Sequence, residues 1–148
     1  MKRLALLAVA GVLLAGCGGS SHISKAAYEQ RLQADGNAVQ KTVTALTKTT
    51  PASLSQFAQR VDAAEKAVKN AGDDLSSLKP PKDVVDDNNA IVAAFRAIQD
   101  ALERVKANPA GAQAIVTKLE ASPTLKAAER ATADLKKKGY KVGVIGAP

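Results

Sequence analysis

Beyond residue 23, apolar residues recur at intervals of three and four, the spacing that places side chains on one face of an α-helix. Alternation with a period of two, which is typical of strands, is missing until the last few residues. The clearest apolar stripe consists of Leu54, Phe57, Val61, Ala64, Val68, Ala71, Leu75 and Leu78. The next consists of Val84, Asn88, Ile91, Phe95, Ile98, Leu102 and Val105. The pattern predicts two long helices that pack through these stripes.

Capping and breaking residues predict where these two helices begin and end. Thr50 is predicted as the N-cap of the first, with Pro51 as its first helical residue, and the prolines at 80 and 81 as its stop. Asp83 is the predicted N-cap of the second helix. Asn108, followed by a proline, is predicted to end that helix and start another.

Two further helical segments flank this pair. The first is predicted from about Ser24 to Leu46, with a stripe that Asp35 and Gly36 interrupt. The last is predicted as one broken helix, 109–121 and 123–138, because Ser122 and Pro123 form a helix-breaking pair.

Glycine 139 is predicted as the stop of the last helix, with Tyr140 packing back over its final turn. In the tail, residues 141–148, we expect Val142 to dock on the helices and the chain to fray after Gly146.

Four segments of matched length with short connections predict antiparallel neighbours, because a short loop cannot lead to a parallel one. The predicted fold class is therefore all-α: an up-down four-helix bundle over residues 24–140, with a broken fourth helix. Its core is expected to consist of Ala, Val, Leu and Ile, with Phe57 and Phe95 as the large rings. Such small side chains let helices approach closely, which leaves little room for a buried ligand.

The N-terminal residues have the pattern of an export signal. Lys2 and Arg3 precede an apolar run of twelve residues, 4–15, whereas a membrane-spanning helix needs about 20. The next positions resemble the lipobox of bacterial lipoproteins, through Leu14, Ala15, Gly16 and Cys17. This resemblance implies that the signal peptide, 1–16, is cleaved between Gly16 and Cys17, and that the Cys17 sulfur carries a lipid. Residues 17–23 are then a lipidated tether.

The residue types present exclude most metal, redox and catalytic chemistry. The chain has one Cys, one Met, one His and no Trp, which removes most of the side chains that hold a haem, a zinc cluster or a disulfide framework. The one imidazole, His22, lies in the predicted tether, away from any folded serine. We expect no cofactor, no metal and no enzymatic activity, although a Ser–Lys pairing stays open.

Two polar residues interrupt the apolar stripes, Asp35 in the first helix and Asn88 in the third. The structural interpretation is that Asn88 fixes the helix register and that Asp35 is partly solvated; replacing Asn88 with Leu would then preserve or raise stability. The functional hypothesis is a small polar pocket, formed with Asn37 or Asn89, that binds a ligand.

Charge adds one expectation about partners. The chain has a net charge of +7, and removal of Lys2 and Arg3 from its 21 basic residues leaves 19 against 14 acidic ones. The candidate partners are anionic lipid headgroups, an acidic envelope polymer or an envelope protein; nucleic acid is not expected outside the cytoplasm. Most charges are interspersed, as on a solvated surface, and the lysines at 136–138 complement a helix dipole.

Together these patterns predict a lipid-anchored, non-enzymatic interaction or structural module on the extracytoplasmic face of a bacterial membrane. The alternatives are a binder of a small or lipidic ligand between the helices and a hydrolase with an unrecognised Ser. The mature part resembles small alanine-rich helical lipoproteins of actinobacteria, in residues 78–83 and 139–143. That resemblance implies fold and location only. Gly18 after Cys17 implies the outer membrane in a two-membrane organism and the plasma membrane otherwise.

Overall fold

The computed structural model describes residues 21–47 and 52–143, and the regular secondary structure of this part of the chain is helical, without strands. Its five α-helices are α1 (Lys25–Thr47), α2 (Leu54–Ser77), α3 (Val85–Ala107), α4 (Ala112–Glu120) and α5 (Pro123–Lys137). Two 3₁₀ turns, Lys82–Val84 and Pro109–Gly111, precede α3 and α4. The all-α prediction is confirmed, whereas the predicted signal peptide, Cys17 and the end of the tail lie outside the described residues.

Successive long helices run antiparallel, as contacts at their ends show. The Arg60 guanidinium, near the start of α2, donates to the carbonyl oxygen of Ala45, near the end of α1, at 3.4 Å. Lys106, near the end of α3, forms an ion pair with Asp62 of α2. α5 in turn packs against α3, and α4 also contacts α3.

The chain that follows α5 returns along α1 and fills the space between these two helices. The backbone N–H of Lys141 donates to Glu29 Oε1 at 3.0 Å, and the Gln33 amide donates to the Lys141 carbonyl at 3.2 Å. Val142 is partly buried against the core. The prediction that Tyr140 and Val142 dock on the helices is therefore confirmed, and the predicted fraying after Gly146 lies outside the described residues.

The core combines small aliphatic side chains with three aromatic rings, those of Tyr28, Phe95 and Tyr140. Tyr28 and Tyr140 meet edge to face, with ring centroids 5.9 Å apart. The prediction that Phe57 is a core ring is wrong: it is only half-buried, and Leu54, one turn before it, is 78% exposed. The stripe extends beyond the part of α2 that the other described helices cover, so its first two residues, Leu54 and Phe57, are not enclosed by them.

Two predicted N-caps are also corrected. α2 begins at Leu54 with Ser53 as its N-cap, because the Ser53 hydroxyl accepts from the Gln56 N–H at 3.1 Å; the predicted cap, Thr50, and Pro51 after it lie outside the described residues. Asp83 does not cap α3; it lies in the 3₁₀ turn before it, and its carboxylate accepts instead from the Tyr140 hydroxyl at 3.0 Å.

The predicted last helix begins at Ala112 rather than at residue 109, because Pro109–Gly111 form a 3₁₀ turn, whereas two other predicted ends agree with the structure. Asn108 ends α3, and its side chain accepts from the N–H of Gly111 at 3.2 Å. Gly139 has a φ of 74° and ends α5. Its N–H donates to the Lys136 carbonyl, and the Tyr140 N–H donates to that of Leu135, the pattern of a Schellman motif.

Candidate functional site

A buried polar cluster surrounds Asn88, at the end of the molecule where α1 begins. Asn88 is 3% exposed, and both ends of its amide have partners. The Tyr28 hydroxyl donates to Asn88 Oδ1 at 3.1 Å, and Asn88 Nδ2 donates to the carbonyl oxygen of Leu75 at 3.2 Å. The amide therefore joins α1, α2 and α3. This arrangement agrees with the interpretation of Asn88 as a residue that fixes helix register.

A second polar cluster lies beside it and joins α3 to the end of α5. Lys138 Nζ contacts Asp87 Oδ2 at 2.7 Å, and this hydrogen bond raises the pKa of Lys138. Burial, followed by the hydrogen bond to Asp83, raises the pKa of Tyr140 to about 12. Burial and the nearby Asp87 charge also raise the pKa of Tyr28 well above its usual range. Both phenols therefore stay protonated at neutral pH and act as hydrogen-bond donors.

A groove between α1 and α2 contains the other polar residue that interrupts a stripe, Asp35. The groove has a volume of about 370 Å³ and opens to solvent. Its apolar wall consists of four alanines, Ala38, Ala63, Ala67 and Ala71. Its polar lining consists of Asp35, Lys66, Asn70 and Asp74. Alanine side chains on both helices leave this concavity because they fill less space than the residues around them.

Asp35 is the most unusual group in this groove. It is 9% exposed, and its Oδ2 atom is buried without a hydrogen-bond partner among the described residues. Burial, together with the neighbouring Asp74 charge, raises the pKa of Asp35 to about 6, against the opposing effect of Arg31. An unsatisfied buried carboxylate is costly, so Asp35 gains from any ligand that donates a hydrogen bond or carries positive charge.

The four residues predicted to form one polar pocket do not come together. Asn37 and Asn89 are exposed, and Asn88 is buried in the cluster with Tyr28. None of these three lines the groove at Asp35. The sequence reasoning did not identify Asp74 as a groove residue, because its position depends on how α1 and α2 align and no spacing within α2 distinguishes it.

An apolar groove lies at the opposite end of the molecule, where α2 begins and α3 ends. Its lining is Ser53, Leu54, Phe57 and Pro109, and its volume is about 340 Å³. Val116 of α4 is the other large exposed apolar residue in the described part of the chain. This end therefore presents apolar side chains, whereas polar contacts dominate the end where α1 begins.

The described residues contain no group of three or more His, Cys, Asp or Glu side chains able to hold a metal ion. His22 donates from Nδ1 to the carbonyl oxygen of Pro80, which holds the start of the described chain against the loop after α2. None of the helices in residues 21–47 and 52–143 is both long enough and apolar enough to cross a membrane.

No family model, no curated protein and no solved structure matches this chain with significant similarity.

Proposed function

We propose that this chain is a lipid-anchored, non-enzymatic interaction module of the bacterial cell envelope, attached through Cys17 to the extracytoplasmic face of a membrane. The observation that carries the proposal is the lipobox-like sequence ending at Cys17, only four residues before the first described residue, Ser21. The helices α1 to α5, which we call the helical body, begin at Lys25, shortly after this residue. In this proposal α1, α2, α3 and the α4–α5 pair are the four members of an up-down bundle that the anchor holds at the membrane.

The geometry of the helical body supports an interaction role better than catalysis. The two concavities described above are open grooves rather than enclosed cavities, and neither contains an imidazole or thiol. The hydroxyls of Ser53 and Ser122 accept hydrogen bonds from backbone N–H groups at helix starts. A hydrolase with an unrecognised Ser therefore gains no support from the contacts of these hydroxyls.

The test of the anchor is to move the thiol. We expect Cys17→Ser to abolish incorporation of a labelled fatty acid and to release the protein from the membrane fraction, because the chain has no other thiol to accept lipid. The matched control is the double variant Cys17→Ser with Ser20→Cys, which retains one thiol but places it outside the lipobox. Lipid labelling of the double variant, or membrane retention of Cys17→Ser equal to the parent, would overturn the proposal.

A second candidate function is binding of a small zwitterionic ligand in the groove between α1 and α2. The unpartnered Oδ2 of Asp35 favours it, since an ammonium group would neutralise this carboxylate and the adjacent Asp74. Lys66, on the same groove, supplies a cation for the opposite charge of the ligand. The groove contains both charges within one small alanine-walled space, as recognition of an amino acid or short peptide requires.

This second function is tested by an NMR titration of the protein with a mixture of free amino acids. We expect shifts in amides of α1 and α2 around the groove, and their loss in both Asp35→Asn and Lys66→Gln. Asp73→Asn is the matched control, because Asp73 is exposed, adjacent to a groove residue and paired with Lys69 outside the groove. Shifts that survive Asp35→Asn would rule out this mode of binding.

A further inference from the structure

Three separate segments of the chain meet at the end of the molecule where α1 begins. The N–H of Ile23 donates to the carbonyl oxygen of Lys79 at 2.8 Å, which joins the start of the described chain to the loop after α2. The Lys25 ammonium donates to the carbonyl oxygen of Lys138 at 3.2 Å, which joins it to the end of α5. We call this surface the basic end and define it as residues 21–25, 78–84 and 136–143.

Lysines dominate the charge of the basic end. All seven are exposed: Lys25, Lys79, Lys82, Lys136, Lys137, Lys138 and Lys141. Two of them are paired with carboxylates of α5 and α3. Five form no ion pair with a described residue: Lys25, whose ammonium contacts the Lys138 carbonyl oxygen and the Tyr140 ring, and Lys79, Lys82, Lys136 and Lys141. Asp83 is the only carboxylate within these residues, and Asp86, Asp87 and Asp134 lie within three residues of them, so the seven lysines leave the surface positive.

The proposed anchor lies very close to this surface. Four peptide links separate Cys17 from Ser21, and a chain of that length spans at most about 14 Å. Ser21 belongs to the basic end, and the contacts of Ile23 hold this part of the chain on the helical body. α1 extends away from it for 23 residues, or about 35 Å. An acylated Cys17 therefore keeps the basic end, and not the apolar end, near the bilayer surface.

We propose that the basic end binds the anionic phospholipid headgroups of the membrane that carries the anchor. The inference rests on the proposed lipidation of Cys17. Negatively charged headgroups attract lysines within a Debye length, about 8 Å at physiological salt, and a tether of at most about 14 Å allows the basic end to come within that distance. This contact turns the opposite end, with the exposed Leu54 and the half-buried Phe57, away from the membrane and toward partners in the envelope.

The composition of the chain makes a direct test practical. The only cysteine is Cys17, whose sulfur is blocked in the lipidated protein, so one added cysteine can be labelled specifically. Lipidated protein with Ala26→Cys reports on the basic end, and Ala110→Cys reports on the opposite end, because both alanines are exposed. Each labelled protein is reconstituted into vesicles of phosphatidylcholine alone or with phosphatidylglycerol, containing a lipid whose headgroup quenches the fluorophore.

We expect phosphatidylglycerol to increase quenching at residue 26 at least threefold, to leave residue 110 unchanged, and to lose this effect at high salt. Glutamine at Lys79, Lys82, Lys136 and Lys141 should remove most of the increase. The matched control places glutamine at four exposed lysines outside the basic end, Lys41, Lys69, Lys118 and Lys126, and should leave the increase intact.

The outcomes separate this inference from the proposed anchor. If the parent floats with both kinds of vesicle but phosphatidylglycerol does not change quenching at residue 26, the anchor stands and the inference is overturned. Equal losses in the two glutamine variants would overturn it as well, since net charge alone would then explain the effect. A parent that floats with neither vesicle, and whose Cys17 reacts with the fluorophore, would overturn the anchor and the inference together.

Discussion

At the scale of single residues, the two polar interruptions of the apolar stripes have opposite environments. Asn88 is buried with a partner for each end of its amide, whereas the buried Oδ2 of Asp35 has none among the described residues. Sequence reasoning identified both positions because a polar residue in an apolar stripe is visible from spacing. It could not distinguish them, because the partners of Asn88 come from two other helices, 60 and 13 residues away.

The contacts of Asn88 reverse the stability change expected from sequence. We expect Asn88→Leu to destabilise the protein by about 2 to 4 kcal/mol, because the Tyr28 hydroxyl and the Leu75 carbonyl both lose a buried partner. Urea unfolding measures this loss. The double variant with Tyr28→Phe should recover part of it, since the orphaned hydroxyl is then removed. A single variant as stable as the parent would show that these hydrogen bonds contribute nothing.

Asp35 makes stability depend on pH in a predictable direction. Its pKa is about 6 in the folded protein against 3.8 for the free side chain, so the folded state binds the proton more tightly. Its contribution to stability therefore falls as pH rises from about 4 to about 6 and is constant above that. We expect Asp35→Asn to match the parent near pH 3.5 and to exceed it at pH 7.5, by up to about 3 kcal/mol.

Urea unfolding of parent and variant across this pH range is the measurement, with Asp74→Asn as the control. Removal of the Asp74 charge should lower the pKa of Asp35 and reduce the pH dependence without abolishing it, because burial is the larger cause. A difference between parent and Asp35→Asn that does not change with pH would contradict the expectation.

At the scale of helices, the positions of elements were predictable and some of their ends were not. Spacings of three and four residues predicted the α-helices of the described residues but not the two 3₁₀ turns, and the break at Ser122 and Pro123 separates α4 from α5 as expected. The start of α2 was misplaced because both Thr50 and Ser53 fit the pattern of an N-cap, and Ser53 is also followed by Gln56 three residues later. The sequence does not decide between these two caps, because the choice depends on contacts made on folding. The exposed start of this helix was missed because periodicity does not show how far the other helices extend.

The unequal burial of the two phenylalanines gives a prediction about α2 and α3. Phe95 is 3% exposed, and α2 comes close beside it, because a methyl group added at Gly72 would lie 3.3 Å from Phe95 Cβ. We expect Phe95→Ala to cost about 3 to 5 kcal/mol, since closely packed helices cannot collapse into the cavity. Phe57→Ala should cost less than half as much because that ring is only half-buried. Thermal melts followed by circular dichroism compare the two, and equal losses would mean that Phe57 also supports the core.

At the scale of the whole molecule, the described helices form a chain of neighbours, α1 on α2, α2 on α3 and α3 on α5, which the segment after α5 closes against α1. Tyr140 is the centre of this closure. Its ring meets Tyr28 of α1, its hydroxyl donates to Asp83 before α3, and its N–H donates to Leu135 of α5. The same closure assembles the basic end, so the proposed membrane-facing surface depends on the fold being closed there.

Replacing Tyr140 tests whether this segment holds the molecule together. We expect Tyr140→Ala to cost about 3 to 5 kcal/mol, because a buried ring that touches three elements is lost. Tyr140→Phe keeps the ring and loses only the bond to the exposed Asp83, so it should cost about 1 kcal/mol or less.

Hydrogen exchange shows which helix the ring holds. In Tyr140→Ala, exchange should accelerate in the first turns of α1, because these turns lose the contact between Tyr28 and the Tyr140 ring and the contact of the Lys25 ammonium, 4.4 Å from the ring centroid. The same amides should stay protected in Tyr140→Phe. Unchanged exchange in α1 of Tyr140→Ala would show that α2 alone holds α1 in place and that the segment after α5 only covers it.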